Sequence, residues 1–189
     1  MARPSVADER REQILEATLA TIAERGISGT TLDRIADTAK MSRGHVRHFA
    51  GNRDRLLLDA ARHFYSDENG SPTIIPSSFS GLDAALDYLF GEEFAATGTE
   101  NAIVLAFVEL SRSSTEIAEV LNEAYSSART QLAQYIVNAK PSLKPEQSEW
   151  ASEGLLAIAL GNVFLGDFST DSGHTIRTRA AANALVAAL

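Results

Sequence analysis

Apolar residues recur at intervals of three and four along nearly all of this 189-residue chain, and no segment shows the strict alternation of a half-buried strand. That regularity restricts the fold class to all-α. A first helix is read over Ala7–Arg25, with Ile14, Leu15, Leu19 and Ile22 as its apolar stripe. Gly26 stands where a helix end accepts a left-handed residue, and Thr30 with Asp33 three positions later reads as a capping box with Asp in place of Glu. A short helix follows over Leu32–Thr38, with Leu32, Ile35 and Ala36 facing inward. A turn at Ala39–Met41 leads to Ser42 as the N-cap of a third helix over Arg43–Phe49. Gly51 and Asn52 end it, and a fourth helix from Arg53 carries Leu56, Leu57, Ala60, Ala61 and Phe64. Residues 66–79, with two prolines, a glycine and several serines, read as a linker. Five helices are expected beyond it, near 80–96, 100–112, 114–139, 145–167 and 173–189.

Charge is distributed unevenly over this scaffold. The chain carries a net −8, yet residues 1–65 hold eleven Lys/Arg against nine Asp/Glu and residues 66–189 hold six against sixteen. Between 40 and 55 the basic residues Lys40, Arg43, Arg47, Arg53 and Arg55 meet a single acid, Asp54, with His45 and His48 interleaved. A local basic stripe on an acidic protein is the footprint of phosphate contact, which acts within a Debye length of roughly 8 Å. Other classes are disfavoured. There is no Cys, which excludes disulfides and thiolate metal sites. His45, His48, His63 and His174 join no acid–base–nucleophile grouping, and no phosphate-cradling loop is present, so the chain reads as a non-enzyme without cofactor or metal. No stretch resembles a signal peptide or a membrane span, which gives the expectation of a cytoplasmic protein.

Two short helices joined by a tight turn, the second N-capped by Ser, form the helix-turn-helix pattern. Its second helix must enter a major groove about 12 Å wide, which favours small residues where backbones approach. Gly44 stands in the first turn of that helix, at a cost of about 0.8–1.0 kcal/mol against Ala in a helix interior; close approach to DNA or helix packing would account for it. Val46 and Phe49 turn inward, while Arg43 with Arg47 and Gly44 with His48 share outward faces at i, i+4. An outward Arg can pair bidentately with guanine or bind phosphate, and the residue pattern leaves both roles open for each.

The block from Ile14 to Leu57 resembles the N-terminal domain of the TetR family of transcription regulators. The likeness rests on the Gly26-x-x-x-Thr30-Thr31 approach, Ile35-Ala36-Asp37-x-Ala39, Ser42-Arg43-Gly44 and the aromatic-then-basic close. It covers about a quarter of the chain. The resemblance implies a homodimer with an N-terminal three-helix DNA-binding domain (residues 1–52) and a C-terminal helical ligand-binding and dimerisation domain (residues 53–189). It also implies double-stranded operator DNA and a small-molecule effector as partners, with repression as the family's usual outcome. Thr31, Ser42, Arg43, Gly44, His45, Arg47, His48 and Arg53 fall on the family's DNA-contact positions. Four positions depart from the pattern: Lys40 stands for the usual turn Gly, Arg47 for Tyr, Ala50 for Phe with Phe49 beside it, and Arg53 for Lys. Lys40 and Ala50 motivate the competing expectation of an interaction module that kept the fold without operator binding.

The body offers two further features. The helix near 145–167 carries Gly154, Gly161 and Gly166 among alanines, and the last helix is alanine-rich; together they resemble the family's dimerisation pair. Aromatic residues on the middle helices either line a cavity or fill a core. The candidate effector residues are Tyr88, Phe107, Glu109, Tyr125 and Phe164. Glu109, which follows the apolar run Ala102–Val108, is set to meet a cationic ligand, to pair with Arg112 or to face water.

Overall fold

The computed structural model describes residues 5–95 and 98–189, which form ten α-helices and no strand. They fall into two compact units. One runs up to Ser66 and adds Ala102–Leu121; the other comprises Asp67–Asn101 and Asn122–Leu189.

The first unit is built on α1 (Val6–Gly29), α2 (Leu32–Ala39), α3 (Arg43–Ala50) and α4 (Arg53–Phe64). Ser5 opens α1, its hydroxyl accepting from the Asp8 N–H while the Asp8 carboxylate accepts from the Ser5 N–H. Gly26, at φ 64° and ψ 178°, breaks α1 where the sequence ends it, and one more turn follows. The expected capping box of Thr30 with Asp33 does not form. Thr31 is the N-cap of α2: its backbone is extended, its carbonyl accepts from Ile35, and its hydroxyl accepts from the Arg34 N–H. Thr30 is buried instead and its hydroxyl donates back to Gly26 O at 2.8 Å.

Ile14 and Ala17 of α1, Ile35, Ala36 and Ala39 of α2, Val46 and Ala50 of α3 and Leu56 of α4 close one core, with Leu32, Met41 and Phe49 packed at its edge. Ala50 therefore takes the inward place at the end of α3, and Phe49 lies half-buried beside it. The first unit takes in α4 as well, running on to Ser66 before Ala102–Leu121 joins it. Five residues of α4 (Leu56, Leu57, Leu58, Ala60 and Ala61) are buried, and the helix packs on α1, so it cannot be parted from the head without exposing that face.

The second unit holds α5 (Leu82–Leu89), the single turn α6 (Glu92–Ala95), α9 (Pro145–Gly166) and α10 (His174–Ala187). α7 (Thr99–Ser111) and α8 (Thr115–Ala139) each contribute residues to both units. The helix expected over 80–96 is thus two, parted at Phe90–Gly91, whereas the later four lie within two residues of their expected bounds. The core gathers Leu82, Leu86, Leu89, Leu132, Ile136, Leu155 and Leu156. Residues 66–79 are more than a linker. The Asp67 carboxylate accepts from the N–H groups of Asn69 and Ser71, and Ile75 is fully buried in that core. α9 and α10 approach closely at Gly154, where an added Cβ would lie 3.0 Å from Leu185 Cδ2. Buried Asn162 accepts from the Thr178 hydroxyl at 2.6 Å and ties the same two helices.

Lys40 holds φ 54° and ψ 42°, a left-handed conformation, while its N–H and that of Met41 close the end of α2 on Ala36 O. A non-glycine residue there costs about 1–2 kcal/mol. Lys40→Gly is therefore expected to raise stability by about 1 kcal/mol in urea unfolding, with an unchanged helical spectrum.

Candidate nucleic-acid interface

The geometry of α3 follows from its two ends. Ser42 is extended, and its hydroxyl accepts from the His45 N–H, so the helix begins at Arg43. Val46, with no exposed surface, and Ala50 anchor the inner side. Ser42, Arg43, Gly44, His45, Arg47 and His48 are all exposed, and no acidic residue lies on the helix itself. The structure thus gathers six of the eight sequence-predicted contacts on one short helix and its cap. Thr31 is exposed at the start of α2.

Arg53 has a different setting. Its Nε donates to Thr30 O at 2.6 Å and its Nη2 to Ile27 O at 2.5 Å, with the side chain only one-third exposed. Those carbonyls end α1, where a cation is favourable. At the start of α4 the cap comes from Asn52, whose side chain accepts from the Arg55 N–H. Two partners of this surface are not legible from the sequence. Asp33 of α2 accepts from Arg43 Nη1 at 3.1 Å, and Arg11 of α1 donates from Nε to Phe49 O at 3.3 Å. Both pairs join different helices, so no local spacing announces them.

Gly44 is the most informative position. A Cβ there would meet only Ser42 Oγ, at 3.8 Å, so nothing in the protein requires a glycine. Helix packing within the chain therefore does not explain it.

The effector candidates are divided between the two units. Phe107 is fully buried in the first unit against Phe64 and Tyr65. Glu109 is exposed, which leaves its carboxylate in water instead of in a pocket. Phe164 is half-exposed and meets Phe168 edge to face. Tyr88 and Tyr125 pack at the edge of the second core. Tyr88 is the centre of an aromatic group, 5.1 Å from the Phe79 ring and 5.4 Å from the Phe94 ring. Burial, with the negative charges of Glu93 and Glu100, pushes its phenol up to about 12. Among the described residues no group of three or more His, Cys, Asp or Glu could hold a metal, and no helix is long and apolar enough to cross a membrane.

Residues 14–61 match the family described as bacterial regulatory proteins, tetR family. A regulator from Paraburkholderia phymatum, the HTH-type transcriptional regulator BetI, is 42% identical over 67 residues, which are 35% of this chain and 34% of that protein. The match therefore spans about a third of the length of such curated relatives. A TetR-family regulator from Cytophaga hutchinsonii shares the fold over 100% of this chain and 98% of its own, with a TM-score of 0.77 and 13% identity. A protein from Saccharomonospora viridis, crystallised in complex with choline, shares it over 95% and 96%, with a TM-score of 0.72 and 18% identity.

Gly44→Ala separates stability from contact. Melting of the variant is expected to show a gain of up to about 1 kcal/mol, since Ala is the better helix former and meets no clash. Its affinity for DNA is expected to fall in the same preparation. A gain in both would remove the argument for close approach.

Proposed function

This chain belongs to the TetR family of transcription regulators, and from that premise we propose that it is a ligand-responsive repressor that binds a palindromic operator as a homodimer. The observation that carries the reading is the outward face of α3: two arginines, two histidines and an unneeded glycine, with no acid on the helix, set on a buried anchor. Arg47 and His48 supply charge and donors for phosphate or base edges, and Ser42 and Thr31 flank them.

A second copy of the chain is the proposed partner of α9 and α10. Trp150, Ala157 and Phe164 are exposed along α9 at helical spacing, with Phe168 exposed in the turn just beyond it, and at Gly161 between them an added Cβ would meet nothing within 4 Å. On α10 the exposed residues include Ala180, Ala181, Ala184 and Ala187. Pairing these flat apolar strips by a two-fold axis would present two α3 helices to half-sites about 34–36 Å apart, hence a palindrome.

The effector is proposed to be a small organic cation held near Tyr88, Phe79 and Phe94. The rings supply negative π-faces, and Glu93 and Glu100 add negative charge. The choline found on the Saccharomonospora viridis protein supports this class of ligand. Binding there favours a dimer whose α3 helices no longer match successive major grooves, and the operator is released. The size of the effect is bounded by the ligand's differential affinity for the two states.

Footprinting on the DNA upstream of the protein's own coding sequence tests the operator reading. A palindromic protection is expected, with affinity falling by a log–log salt slope of about −0.9 per phosphate contact. Phe164→Asp with Phe168→Asp is expected to give a monomer by sedimentation and to lose the palindromic footprint; a dimer that survives both changes would refute the proposed interface. Choline is expected to raise the melting temperature of the wild type and not of Tyr88→Ala, and equal shifts would remove Tyr88 from the site.

A further inference from the structure

The two arginines of α3 have different surroundings. Arg43 Nη1 donates to Asp33 Oδ2 at 3.1 Å across the turn between α2 and α3. The Arg47 guanidinium, one turn on, has no hydrogen-bond or ion-pair partner among the described residues. We infer that Arg43 is the base-reading arginine of α3, held by Asp33 as its positioning residue, and that Arg47 meets phosphate. This assignment rests on the operator-binding reading above.

Electrostatics at the start of α3 makes Asp33 more than a chance neighbour. Arg43 is the first residue of the helix, where a cation opposes the macrodipole, and α3 has no acid in its own first turn. The carboxylate from α2 supplies the missing negative charge at that place. Both side chains are well exposed, so the pair contributes little to stability. Its effect is on direction.

Direction is what separates the two roles. A guanidinium carries five donors in one plane, and with Nη1 engaged by Asp33 the remaining donors are held in a defined plane. A bidentate pair with guanine O6 and N7 needs such a plane, and a side chain already ordered loses less freedom on binding. A carboxylate at this point also repels phosphate, so an arginine bonded to it is better placed for a base edge than for the backbone. Arg47 has no such neighbour and can follow a phosphate wherever the groove presents one.

Selection from random duplex DNA by the full-length protein tests the assignment, with Arg43→Ala, Arg47→Ala, Asp33→Ala and Asp33→Asn run in parallel. The wild type is expected to prefer one G·C pair in each half-site, and Arg43→Ala to erase that preference alone. Asp33→Ala is expected to weaken it at least about fivefold, the lower end of what an Arg–guanine pair discriminates. The same variant is expected to bind non-specific DNA about two- to threefold more tightly, because a charge of the same sign as phosphate is gone. Asp33→Asn keeps an acceptor for Nη1; it is expected to recover most of the preference while sharing the non-specific gain. Arg47→Ala is expected to lower affinity for all sequences alike and to flatten the salt slope by about one contact. A purely structural role for Asp33 would move affinity and not one base pair. An Asp33→Ala profile that keeps the wild-type preference, or a preference lost with Arg47 rather than Arg43, overturns the assignment. Failure of the wild type to select any sequence overturns the operator reading and the assignment together.

Discussion

The Arg53 guanidinium is the junction on which the head depends. It is the first residue of α4, yet it donates to Ile27 O and Thr30 O at the end of α1. A charged donor on two carbonyls at a helix end is a strong contact for a partly buried site. The next residue after Thr30 opens α2, so one side chain fixes the end of one helix and the start of two others. α3 then needs only Val46 and Ala50 in the shared core to be held at both ends. The left-handed Lys40 belongs to the same arrangement. The turn between α2 and α3 adopts its geometry with a residue that bears the strain.

Charge is arranged around this frame so that a protein of net −8 carries a basic face. Asp33 is tied to Arg43, and Asp59 to Arg55 and Arg62. Such pairs cancel over a Debye length, leaving the Arg47 guanidinium, unpaired among the described residues, to meet an approaching polyanion. The acidic excess lies after residue 65.

In the second unit the aromatic residues divide by role. Phe90 closes the core and lies under the Arg179 guanidinium, which also pairs with Asp87 and so joins α10 to α5. Phe79, Tyr88 and Phe94 form a half-buried group at the core's edge. Trp150 and Phe164 are exposed on α9 and Phe168 in the turn that follows it. Burial of apolar surface is the main favourable term in association, so exposed rings beside flat, small residues have a different consequence from rings already packed.

What the sequence by itself determined was local. Helical spacing, the break at Gly26, the Ser42 cap and the outward faces of α3 all follow from relations within four residues, and these are the features in which reading and structure agree. What the reading left out depended mostly on contacts between distant segments: α4 packs on α1, and the segment 66–79 buries Ile75 in a core formed by distant helices. Thr30 is the local exception, its hydroxyl donating to Gly26 O four residues back instead of capping α2. Asp33 and Arg43 are ten residues apart, and Arg53 reaches back twenty-six to Ile27. The effector candidates were the least legible, because an aromatic residue at helical spacing is chemically the same whether it faces a core, a surface or a ligand. Periodicity fixes which side of a helix is apolar; only the tertiary structure decides what that side meets, because that is set by the packing of other helices.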